Sequence, residues 1–283
     1  MNTPSTPYPP HAATPQDAGG YVSPIEVRRA HLGDAILAEW TKMRSVRSTM
    51  WTLGALVVVV LGVGTVIPWA VRSDTPGPQG DPPLAYGFFG VLLGTVCVIT
   101  LGALSFSSEF ATGLIRTTLT ACPSRARVLA AKTAVYFCLV FALTLVLTVI
   151  AGIFEVVILD SPNPAPLVWA PATVGVSVYM ALLGVLSLAV GAMVKHAAGA
   201  VTAMLGIVLL PLVVAMFLPT PLSGVRSVLL NYSIPSQLVS FYGAFDGFAN
   251  GSQPSGWVSL WILLAVVAVA MAGAYVALDR RDV

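Results

Sequence analysis

Titratable side chains are scarce in this chain, with only 9% of residues charged, so the few that occur bound what chemistry it can do. A phosphate-cradling P-loop needs a Gly-Lys pair, in which backbone amides hold the phosphate and the lysine neutralises it. The three lysines, Lys42, Lys132 and Lys195, instead follow Thr41, Ala131 and Val194, which excludes a Walker-type ATP site. His11, His31 and His196 are scattered, with no HExxH and no paired cysteines, so the usual zinc spacings are missing. Cys97, Cys122 and Cys138 fall in or beside apolar stretches, which suggests no disulfide framework. No GxSxG turn marks a hydrolase nucleophile. Catalysis, a bound cofactor and a metal are therefore not expected. The one acidic residue inside an apolar stretch is Glu155. A carboxylate there is a candidate for binding cations or relaying protons. It also lies shortly before Asp160, near the outer end of its stretch, where headgroups or water could reach it and give it a merely structural role.

The elements that must position these residues follow from composition. Hydrophobic residues make up 57% of the 283 and mean hydropathy is +0.86. Soluble domains carry about 25% charged residues and seldom contain even one apolar run of ~20, the length that crosses a ~30 Å hydrocarbon core. Such runs are predicted at about 50–71, 84–106, 133–159, 171–194, 197–218 and 257–278, giving an all-α polytopic membrane protein with six transmembrane helices. Residues 1–24, rich in Pro, Thr, Ala and Gly, read as a disordered tail. Residues 25–283 form one membrane domain. Its opening segment, 25–48, repeats Leu32, Ile36, Trp40, Met43 and, further on, Met50 at helical steps, and predicts an amphipathic helix on the membrane surface. Glu39, Lys42, Arg44 and Arg47 accompany this stripe.

All of the fourteen Lys and Arg residues except Arg72 and Arg226 fall on one side of the predicted spans. By the positive-inside bias this side is cytoplasmic and holds both termini. Gly87, Gly90, Gly94 and Gly102 line one side of the second span and read as close helix packing. The net charge of +2 gives no reason to expect a nucleic-acid partner.

Two segments outside the spans stand out. Residues 109–121 predict a short helix on the cytoplasmic face, with Phe110, Leu114 and Ile115 available for burial. Pro123 ends it, and Ser124 caps the helix that climbs into the third span. Glu109 and Arg116 on this element are placed to press on a soluble partner, although a plain solvated connector would look the same. On the outer side, Ile234, Leu238, Phe241, Phe245 and Phe248 repeat with spacing 4-3-4-3 after Pro235, which predicts an amphipathic, interfacial or re-entrant helix with Tyr242 at headgroup level.

EWTKMRSVRSTMWTL and SEFATGLIRTTLTACPSRARVLAAK resemble two cytoplasmic stretches of permease subunits in the bacterial ABC type-2 exporter superfamily. The second carries an acidic residue, a Gly-Thr-like turn, a small-Pro step and a terminal lysine, here Glu109, Thr112-Gly113, Pro123 and Lys132. About forty residues carry the resemblance in detail, and the whole chain carries it in layout. It implies a half-transporter in the plasma membrane: two permease subunits, this chain and a copy or relative, enclose a pathway above two copies of a separate ATP-binding subunit. The cargo is an unidentified small molecule or peptide, and export is the implied direction. It also implies that residues 109–121 are a coupling helix and that 25–48 contact the same ATPase. Two rivals remain from the residues alone. One is a secondary transporter or channel independent of ATP, for which only Glu155 is on offer. The other is a membrane scaffold or immunity protein.

Overall fold

The computed structural model describes residues 31–74, 82–122, 124–243 and 254–280. Among them every regular element is helical. A short helix, α1 (Leu32–Ser45), precedes the first span, α2 (Arg47–Asp74). A single 3-10 turn, Pro83–Tyr86, leads into α3 (Gly87–Thr112), and α4 (Leu114–Ala121) follows at once. The third span is α5 (Arg125–Ile158). The fourth is built from α6 (Pro166–Ala170), a π-turn over Pro171–Gly175 and α7 (Val176–Val194), running as one segment. Then come α8 (Ala197–Phe217), α9 (Ser223–Asn231), α10 (Ile234–Val239) and the last span, α11 (Gly256–Asp279). Six of these segments are long and apolar enough to cross a bilayer, in agreement with the spans predicted from sequence. The tail at 1–24, residues 25–30 and Pro123 lie outside the described residues.

The bundle is organised around α7. Its span is 89% buried in the central stretch, against 17% for the first and last spans. α3, α5, α8 and α11 all pack on it, and α2 packs on the far side of α3 and α5. Two glycines of the predicted stripe permit this closeness. A Cβ on Gly90 would sit 2.7 Å from the Val60 carbonyl oxygen of α2, and one on Gly102 would sit 2.5 Å from that of Gly184 in α7. The stripe splits among three neighbours: Gly90 and Gly94 meet α2, Gly102 meets α7, and Gly87 meets Glu155 of α5. Polar side chains stitch the same contacts: Tyr136 donates to the carbonyl of Val98 at 2.7 Å, and Ser187 to that of Ile99 at 2.6 Å. Such interhelical bonds contribute only about 0.6 kcal/mol each in a membrane, so van der Waals packing carries most of the cohesion.

Two sequence expectations need correction. The surface helix does not run unbroken over 25–48. It starts at His31, whose backbone N–H donates to Asp34 at 2.9 Å, and stops at Val46, which is extended (φ −83°, ψ 116°), so that Arg47 already belongs to α2. Toward the protein this helix buries Glu39 and Met43, whereas Leu32, Leu37 and Trp40 are exposed, as side chains resting on a membrane surface would be. Lys132 on α5, which bonds to Glu39, draws that side of the helix inward.

The second correction concerns the segment before the last span. α10 is six residues long, capped by Ser233, and all six are buried, so no side of it remains for a surface position. Tyr242, expected at headgroup level, is buried as well. The ring of Phe241 fills a gap between Gly175 and Gly256, where any Cβ would come within 2.7 Å and 2.5 Å of it respectively. α10 is thus a plug wedged among spans. Phe245 and Phe248 lie outside the described residues.

Candidate functional site

The cationic segments of the sequence meet at one end of the bundle. Arg125 donates to the carbonyls of Leu278 and Asp279, joining the start of α5 to the end of α11. Lys195, in the left-handed turn between α7 and α8 (φ 59°), places its ammonium 4.6 Å from the ring centroid of Phe110 at the end of α3. α1 and α4 lie at this same end.

Beneath them lies a buried ion cluster. The Lys132 ammonium on α5 is about 1% exposed and sits 2.7 Å from Glu39 Oε2, 2.7 Å from Glu109 Oε1 and 3.2 Å from the Ser105 carbonyl. Its charge also lies 5.5 Å from the centroid of Phe106. Lys42, 32% exposed at its side chain, bonds to Glu39 at 3.0 Å and also to Glu109. Two carboxylates and two ammonium groups thus join α1, α3 and α5 with no net charge. Burial alone would push Glu39 up, but Lys132 and Lys42 outweigh it and hold the carboxyl below the usual range. Burial likewise pulls Lys42 down, and the bonds and charges of Glu109 and Glu39 more than reverse that. An incomplete set would be costly here, because a buried charge left without its partner loses solvation for nothing.

α5 explains how a lysine reaches this position. At about 1.5 Å per residue its 34 residues span about 50 Å, well beyond a ~30 Å hydrocarbon core. Lys132, in its second turn, can therefore lie outside the hydrocarbon core.

The elbow above the cluster depends on one residue. The predicted helix over 109–121 is in fact two pieces, because α3 continues to Thr112 and Gly113 then turns left-handed (φ 73°) before α4 begins. A side chain at that φ would be strained, which is why glycine stands there. α4 buries Ile115 and tucks Leu119 against the core. Thr112, Leu114, Arg116, Thr117 and Thr120 face outward.

Of the residues singled out from sequence, Thr112, Leu114 and Arg116 are thus at the surface, with Arg44, Arg47 and Trp40 exposed nearby. Phe110 is partly buried under Lys195. Glu109 is turned into the protein rather than outward, held by two lysines. Sequence reasoning placed Glu39, Lys42, Glu109 and Lys132 on the same side of the membrane but did not join them. The signal was present: two glutamates and two of only three lysines fall on one side of so apolar a chain, and charges in such surroundings find partners.

At the other end of α5, Glu155 is 1% exposed and not open to headgroups or water as expected. Its surroundings differ from the cluster in one respect: no cation faces it among the described residues lining its cleft.

The six apolar helices define a multi-pass membrane protein. Residues 35–171 match the family model described as ABC-2 family transporter protein. The match supports a permease component of an ABC transporter, a class that implies an ATP-binding ABC subunit as partner. No curated protein matches the chain.

Proposed function

We propose that this permease couples ATP hydrolysis by a separate ATP-binding subunit to movement of a substrate across the plasma membrane, in the direction of export. The observation that supports this reading most is the ion cluster under the elbow. A force applied to the exposed face of α4, through Leu114 and Arg116, passes across the Gly113 turn into Glu109, and from there into α1 and α5 through two lysines. A plain connector would need no such buried links between three helices.

The termini and the α4 end are cytoplasmic in this reading, because nearly all the cations lie there. The exposed apolar faces of α2, α8 and α11 are available to lipid and to a second permease subunit, either a copy of this chain or a relative. The substrate pathway forms between the two.

Co-purification with ATPase measurement tests the proposal. Chain extracted in mild detergent is expected to bring down an ATP-binding ABC subunit whose hydrolysis the permease stimulates. Leu114→Asp combined with Arg116→Glu is expected to abolish that stimulation while membrane insertion stays normal. Failure to recover any ATP-binding subunit, or full stimulation by the double variant, would overturn it.

A further inference from the structure

Glu155 is the one buried carboxylate among the described residues that the coupling reading does not use. It stands one turn before the end of α5, remote from α4. Its carboxylate lies against α3 at Gly87, where a Cβ would sit 2.7 Å from Oε1, and against Gly64 of α2, whose Cβ would sit 3.9 Å away. Gly87, where no side chain could stand, thus leaves a carboxyl-sized recess beside α2. Thr148, Ala151 and Gly152 of α5, Ala172 and Thr173 of the π-turn, and Tyr242 complete the walls, leaving room for nothing larger than a water-sized group. Neither Glu155 oxygen has a hydrogen-bond partner of good geometry, and the one donor close to them is the backbone N–H of Gly87 at the start of α3.

The charged and titratable groups around it are few. From α2, Arg72 is exposed and donates to the Ile158 carbonyl at 2.8 Å. On α5 itself, Asp160 just past the helix end is exposed. The 3-10 turn, α3 and the π-turn contribute no charged side chain to the recess. Tyr242 is the other titratable group in the walls, and burial pushes its hydroxyl up, so it stays neutral.

An ionised carboxylate without counter-ion in such a place is far costlier than a neutral acid. The ligand that fits a carboxyl recess too small for an organic group is a proton.

We propose that Glu155 is a proton-binding site whose occupancy holds the α9–α10 segment closed over the end of the bundle. The link to that segment is Tyr242, which walls the recess and follows directly on α10. Its ring packs edge-on against Phe88 at 6.3 Å, while Gln237 of α10 accepts from Tyr179 of α7 at 3.3 Å and donates to the Tyr232 carbonyl at 2.8 Å. With the proton in place the recess is neutral and the plug seats on it. When the plug lifts, water reaches the carboxyl, the O–H bond breaks, and the proton leaves to solvent. The open form therefore binds fewer protons than the closed form. Opening is favoured as pH rises, by up to about tenfold per pH unit for one proton. The proposal does not depend on an ATPase partner.

Infrared spectroscopy and hydrogen exchange on the full chain in lipid nanodiscs test it. Wild-type protein is expected to show a protonated-carboxyl stretch at neutral pH that shifts with isotopically labelled glutamate, fades as pH rises and is missing in Glu155→Gln. Exchange across residues 232–243, corrected for its intrinsic pH dependence, is expected to quicken with rising pH in the wild type and to stay level in Glu155→Gln. The labelled wild-type spectrum remains decisive should the variant fail to fold. Absence of the acid band at neutral pH, protection that follows sodium instead of protons, or equal pH dependence in both proteins would each overturn the proposal.

Discussion

Lys132 and Glu155 stand on the same helix and are equally buried, yet their surroundings are opposite. Lys132 is met by two carboxylates and a backbone carbonyl, in a cluster whose charges cancel. Glu155 is met by glycine backbone, two threonines and a tyrosine. A buried charge with its partners fixes geometry, because every partner must keep its place. A buried acid without partners can avoid the penalty only by giving up its charge, so it responds to pH instead. One end of α5 is built to hold and the other to change.

The strongest way to break this contrast is at Lys132. Lys132→Met leaves two buried glutamates facing only Lys42, and is expected to cost about 3–5 kcal/mol in equilibrium unfolding from mixed micelles. A loss under about 1 kcal/mol would show that the cluster does not hold the three helices. Next in size is the response to acid. Glu39 is held below the usual carboxylate range, so its contribution is fully present above about pH 4–5 and is lost as pH falls further, through its own lower value. The unfolding midpoint should accordingly fall on acidification, and less steeply in Lys132→Met, where the partner that holds Glu39 down is gone. The smallest effect is expected at the other end: Glu155→Gln at neutral pH should change stability by less than about 1 kcal/mol, since one neutral hydrogen-bonding group replaces another. A loss as large as that of Lys132→Met would mean that Glu155 is ionised and paired after all.

Six spans and the crowding of cations on one side were legible in the sequence, because length against bilayer thickness and charge distribution act without regard to tertiary contacts. The element after α3 was foreseen, but its start was placed at Glu109 and not after the Gly113 turn, since Glu109 to Thr112 are as good helix formers as the residues of α4. The stripe on α1 was incomplete as a guide because apolar spacing says which side avoids water, and not that Glu39 turns inward to meet Lys132 from a helix 93 positions away. The same limit applies to α10. Its apolar spacing matched an amphipathic helix, yet in a bilayer a short polar-edged helix is as well placed inside a bundle as on it when side chains such as Tyr179 satisfy its amides. The burial of Glu155 was missed for another reason. Position in a span suggests an exit to the headgroups, but whether one exists depends on neighbours such as Gly87 and Tyr242, which only the fold brings near.

The coat around α7 has a consequence for how the chain is made. α7 touches α3 and α5, which are synthesised before it, and α8 and α11, which come after. On the side of Leu182 and Val185 its covering is shared by α5 and α11, so that flank is only half covered until α11 has emerged. Chains cut short before residue 256 would consequently display an unfinished seam, and quality control of nascent protein in the membrane has there a natural feature by which to tell complete copies from fragments.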